Sequence, residues 1–403
     1  MMKKIEKYTI GMGDRFGHQG EAQLSAVIDA RKRGIDVYPV WNKSHREHEI
    51  IGTQPESLAQ EVREAVGALG WSEAYHIDAD HIRRDTVDGY LPHSDFFTLD
   101  VSEKVGVQPE PNDVDAWINF IKPHFGDIYL EGMNEPLTLG TEGAQSAANR
   151  FLQAVVRAGE HYRYIASQKD PGTFITELSI DETAEAQSPE EMLYILSMLA
   201  WQQVPVQTIA PKFTGRFNKG VDYVGDTEAF ARDFEADLGA IDYAVKTFGL
   251  PDTLKISVHT GSDKFSLYPI INELSKKHDA GVHLKTAGTT WLEEVIGLAR
   301  AGGDALELAK EIVAESLNHV DDLVARYQHV IQIDPEKLPS HETVNGWDSD
   351  AFSAALTHDP NNHQYNPHFR QLLHVGFKTA AQRGDEYHRQ LEQHAEIIGA
   401  GVR

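Results

Sequence analysis

Three stretches alternate apolar and polar residues with period two and then run into loops of Gly, Ser or Thr: FITELSIDET at 174–183, KISVHTGSDK at 255–264 and GVHLKTAGTT at 281–290. In the first, Glu177, Ser179 and Asp181 share one face while Leu178 and Ile180 share the other. In the second, Lys255, Ser257 and His259 oppose Ile256 and Val258, and in the third His283 and Lys285 oppose Val282 and Leu284. This is the pattern of strands whose apolar faces meet helices and whose polar faces turn toward a common interior. Strand candidates read near 7–11, 36–41, 73–78, 94–99, 173–180, 206–211, 254–259 and 280–285, with DIYLEG at 127–132 as a short extra one. Helix signals fall between them. Residues 19–33 place Leu24, Val27 and Ile28 on one face and stop at Gly34. Ser188-Pro189-Glu190-Glu191 reads as a complete helix start, Asp226 as the cap of a helix running to about 248, and Thr290 with Glu293 as a capping box. Eight strand–helix units in sequence predict an α/β fold, a (β/α)8 TIM-type barrel over 1–300. The stretch 101–170 is too long for one crossover and reads as an insertion. A C-terminal helical extension covers 301–403, with helices at 303–330 and 379–399. Between them, 331–370 is rich in Pro, Asn, His and Asp and reads as a long loop.

Barrel chemistry gathers at the carboxyl ends of the strands, which is where the polar phases above terminate. Glu177, His259 and His283 offer one carboxylate and two imidazoles, a donor set for a divalent metal, with Asp181 or Glu182 able to replace or join Glu177. In HIDADHIRR at 76–84, His76, Asp78 and Asp80 alternate on one side, and Asp80 and His81 suit acid–base work or metal support. GMGDRFG at 11–17 has the spacing G-x-G-x-x-x-G rather than the dinucleotide fingerprint, so it reads as a tight turn carrying Asp14 and Arg15 over the mouth. Arg15, Lys264 and Lys285, with Lys212 and Arg216 after the sixth strand, point to an anionic substrate.

Composition narrows the class. The chain has 403 residues, 41% apolar content, no cysteine and a formal net charge of −25. Any metal therefore sits on nitrogen and oxygen ligands. The acidity opposes nucleic-acid and membrane partners, while local cations still admit a small anion. No secretory leader or apolar run of about 18 residues is evident, so a cytoplasmic protein is expected; a homo-oligomer stays open.

In order, GMGDRFG, DADHIRR, ELSIDET, ISVHTGSDKFSLYP, HLKTAGTTWLE and RQLLHV resemble the tagaturonate/fructuronate epimerase family over about 10–375. HTGSDKFSLYP and HLKTAGTT carry most of the specificity. Family members carry a longer region before the first glycine loop, and the likeness fades past His374. The resemblance implies inversion at C4 of a 2-keto-hexuronate with a divalent cation, zinc foremost and nickel, manganese or cobalt as alternatives. Reversible cleavage of C3–C4 needs a Lewis acid and a base for the C4 hydroxyl. Asp80 is the first choice of base, ahead of Asp181 and Glu182. Arg15, His81, Lys212, Lys264, Lys285 and Gln371 would hold the substrate. Another metal-dependent sugar isomerase or aldolase, or a non-catalytic uronate binder, remains open on the residues alone.

Overall fold

The computed structural model describes residues 3–403 apart from Pro171, Glu182, Ala184 and Ala287. The strands are β1 Tyr8–Met12, β2 Tyr38–Ser44, β3 His76–Ile82, β4 Phe96–Asp100, β5 Gly126–Ile128, β6 Leu137–Leu139, β7 Ile175–Ser179, β8 Thr208–Ala210, β9 Lys255–His259 and β10 Val282–Lys285. Eight of them close into a parallel barrel in the order β1-β2-β3-β4-β7-β8-β9-β10, with β10 pairing back onto β1. The expected (β/α)8 architecture is therefore present. β5 and β6 form a separate antiparallel pair inside the expected insertion, so DIYLEG contributes to a hairpin outside the barrel.

Two of the expected helix starts form as read. Ser188 and Glu191 complete a reciprocal capping box ahead of Pro189–Trp201, and Asp226 accepts from the amides of Glu228 and Ala229 at the start of Thr227–Phe248. The third does not: Thr289–Ala301 has its cap position at Gly288, two residues before the expected Thr290, with no side-chain cap. Thr290 instead turns to Gln23. The stretch 331–370 is not one long loop. It contains the short helices His341–Asn345 and Ser349–Leu356 and the start of Pro367–Val375, each opened by a polar cap residue (Ser340, Asp348, Asn366). Their apolar residues Val344, Phe352 and Phe369 share a core with Trp291, Val295 and Tyr387, which seats the C-terminal extension on the last barrel helix. Among the described residues no helix is long and apolar enough to cross a membrane.

The barrel interior is layered. At its floor Ile5, Val40, Phe96 and Ile175 form a fully apolar cluster; burying such side chains is worth about 1.5–3 kcal/mol each. Two residues further along the same inward faces come Asn42, Thr98 and Glu177, all fully buried. β2 and β3 run longer than expected because polar residues that face this interior continue the strand; a reading by apolar runs stops too soon. Between Ala79 and Ile82 the pairing of β3 with β4 slips, and His81 takes φ 51°. A bulge of this kind re-aims a side chain, here one that strict alternation would have sent outward.

Candidate active site

The carboxyl ends of β3, β7, β9 and β10 bring six ionisable side chains into a closed ring. Lys285 Nζ lies 2.7 Å from Asp80 and 3.2 Å from Glu177, and also 2.8 Å from Asp78 beneath. Asp80 Oδ1 accepts from His81 Nδ1 at 2.8 Å, and His81 Nε2 faces Asp181 at 3.7 Å. Asp181 Oδ2 is 3.2 Å from His259 Nδ1, and His259 Nε2 meets Glu177 Oε1 at 2.8 Å. The Thr98 hydroxyl accepts from Lys285 at 2.9 Å and sits 2.9 Å from Asp78 and 3.1 Å from Glu177.

Burial would by itself neutralise these groups, and their neighbours prevent it. Burial alone would raise Asp80 and Glu177, yet Lys285 and the adjoining imidazoles hold both well below the usual carboxylate range. Asp181 is likewise held low against burial by His259 and His81. Burial alone would lower His81 and His259, but Asp80, Asp181 and Glu177 raise both. Lys285 is raised by Asp78, Asp80 and Glu177 despite its burial. Asp78 differs: burial dominates and pushes it up to about 6.

Three members of the ring can hold one ion. Among the described residues, His81, Asp181 and His259 present ligand atoms that all lie within 4.8 Å of one another. Two imidazoles and a carboxylate suit a divalent cation. The electrostatics agree, because Asp80, Asp181 and Glu177 favour positive charge on both imidazoles despite burial, and so favour a cation at the same place. This set shares His259 with the expected Glu177, His259 and His283 and differs from it in the other two members. His283 shares the inward face of Lys285 but lies two residues deeper, about 7 Å along the strand. There its Nδ1 meets Thr9 Oγ1 at 2.9 Å, its ring packs on Phe96, and burial pushes its pKa down to about 3. Glu177 stands beside His259 as its hydrogen-bond partner.

Other expected residues fall elsewhere. Lys285 pairs with the carboxylates of Asp78, Asp80 and Glu177. Arg15 pairs with Glu47 at 2.9 Å, donates to the His374 carbonyl at 3.0 Å and covers the Phe377 ring, so its charge is spent inside the fold. Lys264 is fully buried, donates to Ser262 Oγ at 2.9 Å, and is pushed down to about 7 by burial; it props its own loop. Gln371 exchanges both ends of its amide with the Gln332 backbone, at 2.7 and 3.1 Å, and clasps the segment before it. Lys212 is half-buried, and among the described residues its ammonium makes no ion pair; Arg216 is exposed. Glu182 lies outside the described residues. Asp78 and Thr98 went unassigned in the sequence, although both occupy inward phases at polar strand ends.

The GMGDRFG turn cannot cradle a pyrophosphate. Asp14 already fills it, accepting from the amides of Phe16 at 3.1 Å, Gly17 at 2.9 Å and Gln19. The comparisons agree with this architecture. The sequence model of the tagaturonate epimerase family matches residues 1–395. The chain belongs to that family. The match runs past His374, where the short motifs had faded. A tagaturonate/fructuronate epimerase of Thermotoga maritima is 28% identical over 97% of this chain and 77% of its own length. Crystal structures of a fructuronate-tagaturonate epimerase from Cohnella laeviribosi, native and with one glycerol, each superpose with a TM-score of 0.78 at 23% identity. They cover 99% and 100% of this chain and 80% of their own in both cases, and they support the shared fold. The chain is thus an epimerase of the isomerase class, and the ring at the barrel mouth is its candidate active site.

Proposed function

We propose that the chain interconverts tagaturonate and fructuronate by breaking and remaking the C3–C4 bond within the ring of Asp80, His81, Asp181, His259, Glu177 and Lys285. The observation that carries this reading is the ring itself, a buried set of alternating charges at the carboxyl ends of the strands in a chain of this family. His81, Asp181 and His259 would hold a divalent cation. When bound, it supplies Lewis-acid stabilisation for negative charge developing on the sugar oxygens.

The remaining work falls to this chain's side chains. Asp80 takes the C4 hydroxyl proton; both of its hydrogen bonds, from His81 and Lys285, fall on Oδ1. The C3–C4 bond then breaks, its electron pair passing to the C2–C3 enediolate while C4 becomes an aldehyde carbon. Rotation about C4–C5 presents the other aldehyde face, the bond reforms, and Asp80 returns its proton to the C4 oxygen. Lys285 keeps Asp80 ionised between turnovers. Lys212, beside the Asp181 loop through its backbone contacts with Gln187, pairs with the uronate carboxylate.

Substrate deuterated at C4 tests the route. Cleavage leaves the C4–H bond whole, so the product keeps its label with a small isotope effect. Loss of label to solvent, or a large primary effect with tightly bound nicotinamide, refutes the cleavage step.

A further inference from the structure

The helix Pro367–Val375 belongs to the C-terminal extension, yet its polar groups reach the loops of the barrel mouth. Arg370 is fully buried and donates to the carbonyls of Gly220 and Leu356, each at 2.7 Å. One turn later, His374 Nε2 donates to the Gly261 carbonyl at 3.1 Å. The carbonyls of Leu373 and His374 accept from Trp291 at 2.6 Å and Arg15 at 3.0 Å. A single helical turn therefore ties together the loops after β1, β8 and β9 and the helix after β10.

His374 occupies the tightest of these contacts. A Cβ placed on Gly288 would lie 1.9 Å from His374 Nε2 and 2.8 Å from the Gly261 carbonyl oxygen. Only glycine leaves the imidazole its place. Gly261 follows His259 by two residues and Gly288 follows Lys285 by three. Thr260 already binds the Lys285 carbonyl through its amide at 3.0 Å and its hydroxyl at 2.9 Å. The imidazole closes the next step outward between the same two loops.

We infer that His374 is a positioning residue, a wedge between the loops after β9 and β10 that fixes His259 and Lys285 relative to each other. This rests on the reading of those two residues as part of the reacting ring. Because the ring works by exact placement of partners about 3 Å apart, a loop shift of about 1 Å should cost about 100-fold in rate.

The test compares His374→Ala, His374→Gln, Gly288→Ala and the double variant Gly288→Ala/His374→Ala in the full chain. His374→Ala should lower kcat about 100-fold with KM for the keto-uronate little changed, and His374→Gln, which keeps an N–H near the Nε2 position, should recover part of it. Gly288→Ala should be at least as damaging, and removing the imidazole from that variant should restore part of the loss, the contact with the Gly261 carbonyl at 2.8 Å remaining. Losses that multiply in the double variant, a rise in KM at constant kcat, or no kcat change in His374→Ala would each overturn the wedge. Amide hydrogen exchange separates this from the functional reading. His374→Ala should speed exchange in 260–264 and 286–292 together, whether or not any keto-uronate turns over, and unchanged exchange would count against the wedge by itself.

Discussion

Replacing Lys285 with Met removes the one ammonium that Asp78, Asp80 and Glu177 share within 3.2 Å. Met keeps most of the volume, so the change is chiefly one of charge. Unit charges about 3 Å apart attract by roughly 5 kcal/mol at an effective dielectric near 20, and the desolvation of four buried groups offsets most of the gross attraction. What remains after removing one partner is the cost of uncompensated buried carboxylates, about 3–5 kcal/mol. The variant's cheapest response is to protonate one carboxyl, and Asp78, already pushed up to about 6 by burial, takes that proton. Denaturant unfolding at pH 7 should therefore show a loss of about 3–5 kcal/mol for Lys285→Met. The double variant Lys285→Met/Asp78→Asn should regain at least about 1 kcal/mol, because the two positions are coupled. A loss below about 1 kcal/mol, or a double variant that is worse by the full effect of Asp78→Asn alone, would refute the shared-ammonium account.

Metal binding separates the proposed ligand set from the one expected from the sequence: His81→Ala and Asp181→Asn should each weaken binding of zinc or manganese at least about tenfold, whereas His283→Leu should retain it. Calorimetric titration of the metal-stripped protein decides, and equal loss in all three would restore His283 as a ligand. Lys212→Met should raise KM for the uronate about tenfold, the worth of one charge-assisted hydrogen bond, and leave a neutral ketohexose unaffected; steady-state kinetics on the pair checks it, and an equal change on both substrates argues against a carboxylate contact. At the opposite end of the barrel, His76 bonds to Glu6 at 2.8 Å and Asp95 at 3.0 Å. Burial alone would lower His76, but these partners raise it, and Asp95 is brought down to about 2 despite burial. The stabilisation from His76 is complete below about pH 6.5 and fades as pH rises through its raised value, while that from Asp95 fades as pH falls toward 2. His76→Leu should thus cost about 1–3 kcal/mol near pH 5 and less at pH 9; a gap that widens with pH contradicts the pairing.

The barrel was legible because its strands mark themselves twice, by apolar outward faces and by polar residues carried at the inward phase to their ends. Helix starts at Ser188 and Asp226 were legible for a similar reason, since the capping chemistry is local. Residues whose role depends on depth or on an irregularity were harder to read. His283 and Lys285 have the same phase, and alternation says nothing about which layer each occupies. His81 enters the ring only through the slip between β3 and β4, which period-two reasoning cannot foresee. Arg15 and Gln371 looked available for a ligand because their partners, Glu47 and the Gln332 backbone, lie 32 and 39 residues away. The short helices between 331 and 370 were hidden by their polar composition, although Ser340, Asp348 and Asn366 each stand at a cap.

The apolar floor of Ile5, Val40, Phe96 and Ile175 makes the barrel a blind-ended vessel. An enzyme that splits its substrate in two risks losing one half before the halves rejoin. With the floor closed by these side chains, the three-carbon aldehyde of the proposed cleavage would have a single way out, past the enediolate it came from and past Lys212, which the proposed mechanism sets against the carboxylate it carries. Escape and recombination then compete at one doorway, and the fidelity of the epimerase becomes a question of how long that doorway holds an anion.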